Sequence, residues 1–214
     1  MFGSMVKSLF IACLLGLAGA AQAQYTVYTD KAAFLAAVSA PATDTFNDLP
    51  ISLVASPLSR AATIAPYSYT ASAPQGFFPG GAPADVWLRT NDAADEITIT
   101  GIPANVRGIG GYFFGTDATG ALKDGNMIVQ ANGAGFGAGA GIFDATPTSF
   151  MGFVFDSQFS SLAIRMSVTQ PLPGPIFATA NNLIFALPNA TPVLINAVSR
   201  KLHGTAGTFD LLLQ

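Results

Sequence analysis

The feature that most constrains the fold of this chain is an alternation of apolar and polar residues at every second position. In Glu96–Thr100 the two isoleucines fall on one side of an extended chain and the two threonines on the other. Residues 161–168 repeat the pattern, with Leu162 and Ile164 on the apolar side and Arg165 on the polar side. A period of two is typical of β-strands that bury one face and expose the other. The pattern therefore predicts sheets with one buried face.

Seven further segments have the composition and length of strands, and clusters of Gly, Pro, Asn and Asp separate them. They are Tyr67–Thr70, Val86–Thr90, Val106–Phe114, Met127–Gln130, Phe150–Phe155, Leu183–Leu187 and Val193–Val198. Phe150–Phe155 is apolar on both faces, which predicts a central strand. Because strands do not alternate with helical segments, a parallel sheet is not expected. We expect an all-β, antiparallel two-sheet β-sandwich, jelly-roll-like in its connections.

One short N-terminal helix is predicted over Lys31–Ser39. Thr29 and Asp30 precede it, and a short polar side chain at this place caps the first turn. Phe34 and Val38 fall on one face, and Pro41 is expected to end the helix.

Residues 1–23 have the composition of a secretory leader. Lys7 provides a positive charge, an apolar stretch follows over residues 9–17, and Ala21-Gln22-Ala23 matches a cleavage site. We expect a signal peptide, a mature chain that starts at Gln24, and a secreted or cell-surface location. Cys13 lies too early in the apolar stretch for lipid attachment. No transmembrane segment is predicted after leader removal.

The charge balance of the mature chain limits its partners. Removing Lys7 leaves eight basic residues against twelve acidic ones, a formal charge of −4. A mildly acidic surface argues against nucleic acid and against anionic membranes as partners. Because Cys13 is the one cysteine, the mature chain is expected to have neither a disulfide nor a reactive thiol.

Glycine occupies every second position between Asn132 and Ile142. The segment has neither the spacing nor the following helix of a phosphate-binding loop. Alternate glycines predict a thin strand, or a long hairpin loop, that lies close to a neighbour.

Catalysis is not expected, and no catalytic residue is assigned. His203 is the one histidine and Glu96 the one glutamate, whereas an active site needs several convergent groups. A secreted hydrolase that uses Glu96 and an aspartate is the third and least favoured hypothesis.

No cofactor is required by the sequence, but Ca²⁺ is a candidate because it prefers oxygen ligands. Aspartates form three groups: Asp44 with Asp48, Asp92 with Asp95, and Asp117 with Asp124. Short acidic side chains also stabilise turns by accepting backbone N–H bonds. Turn formation and metal binding therefore both remain open for these residues.

Aromatic residues suggest a carbohydrate site as another possibility. Trp87, Tyr67 and Tyr69 lie on either side of a Pro/Gly-rich segment that contains Phe77 and Phe78. Sugar rings stack on exposed aromatic faces. Since the chain has seventeen Phe against one Trp, core packing is the competing interpretation.

The order of several short motifs resembles the β-sandwich of secreted bacterial proteins of the PEP-CTERM type. The motifs span about residues 25 to 188 and read YTVYTDKAAFLAAV, DTFNDLP, WLRTNDAADEITIT, VRGIGGYFFGTDATG, PTSFMGFVFDSQFSSLAI and ATANNLIFAL. The resemblance implies a secreted or surface-displayed sandwich that contributes to matrix or envelope material. It also implies a polar site near Asp48 and Asn181, where Asn replaces the more usual Asp and weakens a calcium site.

The C-terminal segment departs from that family because the Pro-Glu-Pro sorting motif is absent. SRKLHGTAGTFDL resembles the start of a further secreted module. We therefore expect a leader over 1–23, a β-sandwich domain over 24–188, and a linker with a truncated second module over 189–214. The alternative is that this last segment pairs with the sandwich as an edge strand.

Two functional hypotheses lead. The first is an exported non-catalytic structural or interaction domain of the bacterial cell surface or extracellular matrix. The second is a carbohydrate-binding module, with ligand residues Trp87, Tyr67 and Tyr69 and structural calcium at Asp48 and Asn181. The expected partners are extracellular polysaccharide or surface proteins.

Overall fold

The structure is a computed structural model, which describes residues 24–62, 67–133, 136–167 and 174–189. Over these residues the chain forms thirteen strands and one helix. The elements are β1 Tyr25–Tyr28, α1 Lys31–Ala36, β2 Val38–Asp44, β3 Leu58–Ala61, β4 Ser68–Ser72, β5 Gly80–Ala82, β6 Asp85–Arg89, β7 Ile97–Thr100, β8 Gly108–Thr116, β9 Met127–Gly133, β10 Phe136–Ile142, β11 Phe150–Phe155, β12 Phe159–Met166 and β13 Phe177–Pro188. The predicted leader, the strand at Val193–Val198 and the C-terminal module lie outside the described residues.

The strands form two antiparallel sheets. The first has seven strands in the order β1-β11-β8-β13-β6-β5, with β2 also paired to β13. The second has six strands in the order β10-β9-β12-β7-β4-β3. The prediction of an all-β, two-sheet antiparallel sandwich is confirmed; its jelly-roll connectivity stays a prediction.

Phenylalanine fills the space between the sheets. Phe155 of the first sheet contacts Phe159 of the second, with ring centroids 4.7 Å apart. Phe185 and Tyr69 make a second contact of 4.7 Å between the sheets. Each fully buried Phe contributes about 1.5–3 kcal/mol relative to an exposed one. The abundance of Phe in the sequence is therefore explained largely by the core.

The helix packs on the outer face of the first sheet. Asp30 caps it through a hydrogen bond of 2.7 Å from the Ala33 amide, as predicted. The buried Phe34 lies over Gly152, where an added Cβ would come within 2.6 Å of the ring. Only glycine leaves room for this close approach.

The predicted length of the helix was wrong. The helix ends at Ala36, and Val38 and Pro41 belong to β2 instead. The chain leaves the helix early because β2 pairs with β13, with Val38 opposite Pro188. Pro41 is tolerated there because β2 leaves one side of its backbone without a neighbouring strand among the described residues.

Most of the predicted strands that lie in the described residues are present, with shifted ends. Phe150–Phe155 matches β11, and the glycine-rich segment is a strand, β10, that forms a hairpin with β9. Four edge strands, β1, β2, β3 and β5, were not predicted from the sequence. In the part of the chain that is described, no helix is long and apolar enough to cross a membrane.

Candidate functional site

A buried carboxylate joins the two sheets. Asp44, at the end of β2 in the first sheet, has a side chain only 3% exposed. Its Oδ2 accepts bonds from the Tyr69 hydroxyl at 2.7 Å and from Arg60 Nε at 2.9 Å. Its Oδ1 accepts bonds from Arg60 Nη2 at 2.6 Å and from the Phe46 amide at 3.0 Å. Four donors therefore satisfy a charge that would otherwise be costly to bury.

Arg60 is placed by the second sheet and supplies the positive charge of the site. It lies opposite Tyr69 in the pairing of β3 with β4, so both side chains point to the same face. Its Nη1 and Nη2 also donate to the two oxygens of Asp48, each at 2.7 Å. Asp48 has a 70% exposed side chain and covers the guanidinium from the solvent side. We refer to Asp44, Arg60, Asp48 and Tyr69 as the ion-pair cluster.

Arg60 and Asp48 hold each other ionised. Burial disfavours the charge of Arg60, but hydrogen bonds to Asp48 and Asp44 outweigh it and raise the pKa of Arg60. The hydrogen bond from Arg60 lowers the pKa of Asp48 below its ordinary value of 3.8. Burial, together with the charge of Asp44, raises the pKa of Tyr69, so its hydroxyl stays protonated and can donate.

An open cavity of about 570 Å³ lies over the ion-pair cluster. Asn47, on its wall, also fixes the first sheet, since its Oδ1 accepts the Val86 amide at 2.8 Å and its Nδ2 donates to the Ala84 carbonyl at 3.2 Å. The acidic groups of the cluster are directed at Arg60. The cluster therefore connects the two sheets through hydrogen bonds between their side chains.

The structure gives the two predicted metal ligands different partners. Both oxygens of Asp48 bind Arg60, whereas Asn181 Nδ2 donates to Asp85 Oδ1 at 2.8 Å. Asn181 Oδ1 is buried without a hydrogen-bond partner among the described residues. In the described ranges no three Asp, Glu, His or Cys side chains are grouped to hold a metal ion.

Asn182 has a conformational role. The register of β13 against β8 shifts between Asn181 and Ile184, and Asn182 adopts φ 49° at this bulge. Asparagine tolerates a left-handed backbone better than most residues. The Asn-Asn pair of the sequence motif is thus explained in part by backbone geometry.

The three aromatic residues predicted to bind a ligand do not share a surface. Tyr67 and Tyr69 are 4% and 3% exposed, and their hydroxyls donate to the Ala40 carbonyl and to Asp44. Stacking of a sugar needs an accessible ring face, which these buried rings do not offer. Trp87 is partly buried, edge-on to Phe114 at 4.9 Å. Its Nε1 is buried and has no hydrogen-bond partner within the described ranges.

Four other acidic residues singled out in the sequence bind groups of the protein itself. Glu96 pairs with Arg165 at 3.4 Å on a partly exposed surface. Asp95 accepts the Gln75 amide at 2.7 Å, Asp92 accepts the Ala94 amide at 2.8 Å, and Asp117 accepts the Thr119 amide at 2.8 Å. The bonds of Asp92 and Asp117 join residues two positions apart, as expected for turns, whereas Asp95 and Gln75 are 20 residues apart in the chain. His203 lies outside the described residues.

Two arginines matter that the sequence analysis did not identify as site residues. Besides Arg60, Arg89 is only 4% exposed and donates to the carbonyls of Phe78 at 2.8 Å and Asp117 at 2.6 Å. Its guanidinium also lies 4.8 Å from the centre of the Phe177 ring. Burial lowers the pKa of Arg89. Arginine is rare in this weakly charged chain, and a buried arginine is usually paired. An arginine inside an apolar segment is therefore the sequence signal that points to a buried, paired side chain.

The outer face of the second sheet is polar and almost uncharged. It carries hydroxyl and amide side chains on neighbouring strands, namely Ser59, Thr70, Ser72, Thr98, Thr100, Gln130, Asn132 and Ser161. All of them are partly or fully exposed. The charges of Glu96 and Arg165 neutralise each other at one end of this face. We call it the hydroxyl face.

Comparison with known proteins gives no match, either to a protein-family model or to a curated protein.

Proposed function

We propose that this protein is an exported, non-catalytic structural or interaction domain of a bacterial cell surface or extracellular matrix. The observation that supports this most is how its buried charges are used. Asp44 and Arg60 bind each other across the two sheets, and Arg89 binds backbone carbonyls. Each group stabilises a contact between elements of the fold. A sandwich whose buried charges bind other parts of the fold suits a structural or binding role.

Export and the absence of turnover are tested separately. The full chain is expressed in a bacterium, and the protein recovered outside the cytoplasm is sequenced from its N-terminus. We expect it to begin at Gln24; an unprocessed chain in the cytoplasm contradicts export.

The purified protein is then assayed on a broad panel of hydrolase substrates. Turnover that disappears in Glu96→Gln contradicts the non-catalytic role and supports a hydrolase.

A second function is supported by the hydroxyl face. Its side chains are donors and acceptors without net charge, which complements a neutral polysaccharide better than a charged one. Polar side chains repeated on neighbouring strands also fit an extended polysaccharide chain. On this proposal the binding residues are those at the centre of the sheet, such as Thr98 and Thr100, with Trp87 as the alternative site.

Glycan arrays and pull-down with insoluble polysaccharides test this second function, with Ca²⁺ and with EDTA. The Thr98→Ala/Thr100→Ala variant is expected to bind about tenfold more weakly, since two hydrogen bonds are lost. Thr119→Ala, on an exposed turn, is the matched control and is expected to bind normally. Loss of binding in Trp87→Phe, with the threonine variant unaffected, assigns the site to Trp87 instead. A blank array contradicts both sites.

A further inference from the structure

The two outermost strands of the second sheet differ in how well their free backbone edges are protected. An edge strand presents unpaired N–H and C=O groups, and proteins usually block such edges with short length, proline or charge. β3 is short, follows Pro57 and carries Arg60. β10 is seven residues long and, among the described residues, pairs with β9 alone.

The edges of the first sheet are also protected. β2 contains Pro41, and β5 has three residues and is followed directly by Pro83. β1 has four residues. These are the devices that prevent pairing with another chain.

β10 has none of these devices. It contains no proline and no charged residue, and glycine alternates with alanine over residues 137–141. Ala138 points into the core and is fully buried, whereas Gly139 is exposed on the outer face. A Cβ added at Gly139 would meet no atom of the described residues closer than 3.9 Å. The glycine is therefore not required by packing within this part of the chain.

A large exposed apolar side chain adjoins this edge. Phe143 directly follows β10 and is 78% exposed, the most exposed of the large apolar side chains in the described ranges. Its ring lies 3.8 Å from the Cβ position of Gly141. Unlike a scattered surface residue, it stands at the end of an unblocked strand edge.

We infer that β10 is the docking edge for a second copy of this chain, which pairs with it antiparallel about Gly139. The sequence Gly137-Ala-Gly-Ala-Gly141 reads the same in both directions. In such a pair Ala138 of one copy lies opposite Ala140 of the other, and Gly137 opposite Gly141. The contact is isologous and closes as a dimer.

Physical complementarity favours a second copy over an unrelated strand. The pair brings no like charges together, because β10 has none. The unpaired backbone groups of both edges are satisfied, and the two six-stranded sheets become continuous. Each Phe143 can cover the glycine-lined face of the other copy. This inference goes beyond the proposed function and does not depend on export or on glycan binding.

The test is the oligomeric state of the purified chain by sedimentation velocity and light scattering over a concentration series. We expect a concentration-dependent dimer. Gly139→Lys places two like charges beside the two-fold axis and is expected to weaken dimerisation about tenfold or more. Gly139→Ala, without the charge, and Thr98→Lys, with a charge at the sheet centre, are matched controls that are expected to dimerise normally.

Phe143→Ser is a second variant that leaves the strand unchanged and is also expected to weaken the dimer. Circular dichroism confirms that each variant is folded. A wild-type chain that stays monomeric up to about 1 mM, or a Gly139→Lys dimer as tight as wild type, overturns the inference. So does a monomer in which the β10 amides that do not bond to β9 are already protected from hydrogen exchange, because its own chain then covers the edge.

Discussion

Replacing Arg60 by methionine tests whether the ion-pair cluster holds the two sheets together. Methionine keeps much of the side-chain volume but removes the guanidinium. Asp44, with a side chain only 3% exposed, then loses two of its four donors, Arg60 Nε and Nη2. The bonds from the Phe46 amide and the Tyr69 hydroxyl remain. The carboxylate is left buried without a counter-charge.

Breaking a buried ion pair on one side costs about 3–5 kcal/mol. Because two donors to Asp44 remain, we expect the lower end, about 3 kcal/mol in the free energy of unfolding. For a domain of this size each kcal/mol lowers the melting temperature by about 2–4 °C, so Arg60→Met should melt about 6–12 °C below wild type. The loss of stability arises because the Asp44 carboxylate stays buried without a counter-charge, and not because the ion pair itself is strong.

Thermal and urea unfolding measure the effect, with Arg165→Met as the control. Arg165 makes its ion pair on a 40% exposed side chain, so its loss should cost about 0–1 kcal/mol. The double variant Asp44→Asn/Arg60→Met removes the stranded charge and should recover much of the stability lost by Arg60→Met. If Arg60→Met costs no more than Arg165→Met, or if the two changes at the cluster are additive, the reasoning is refuted.

Three further predictions concern local features. Gly152→Ala should cost about 1–3 kcal/mol by forcing its Cβ to within 2.6 Å of Phe34; Gly139→Ala, where the space is open, should be neutral, and equal melting temperatures of the two variants would contradict the packing. Asp30→Ala removes the cap of α1 and should lower the unfolding free energy by about 1 kcal/mol, measured by urea unfolding; an unchanged value would contradict the cap. Asp48→Asn tests the lowered pKa of Asp48. A carboxylate with a depressed folded-state pKa stabilises the protein above its ordinary value of 3.8, and this contribution is lost as the pH falls through the folded value. The small deficit of Asp48→Asn at pH 7, about 0–1 kcal/mol for an exposed group, should therefore shrink as the pH falls below 3.8; a deficit independent of pH would contradict the linkage.

Local patterns predicted the strands that lie inside the sheets. The alternation in Glu96–Thr100 and the apolar run of Phe150–Phe155 correspond to β7 and β11. The edge strands β1, β3 and β5 were missed because they are short and carry weak patterns. β2 was missed for a specific reason: Pro41 signals a chain break, and an edge strand can contain proline.

The candidate site was predicted only in part. The Asp44/Asp48 group was recognised as a polar site, but the sequence suggested metal or turn formation and not an arginine partner. Arg60 lies 16 residues from Asp44 on a strand with little alternation. Tyr69 was predicted to meet a ligand, and the sequence did not indicate that its hydroxyl donates to Asp44. No local pattern records which residues face each other across two sheets.

The sequence by itself determined that this protein is built from β-strands with one buried face. Strand periodicity and Gly/Pro turns depend only on neighbours along the chain. It also determined that β10 is thin and uncharged. Only the tertiary structure decided that β10 stands at an unprotected edge and that Asp44 meets Arg60 and Tyr69. These outcomes depend on strand order and on the stacking of the two sheets, which bring together residues distant in the chain.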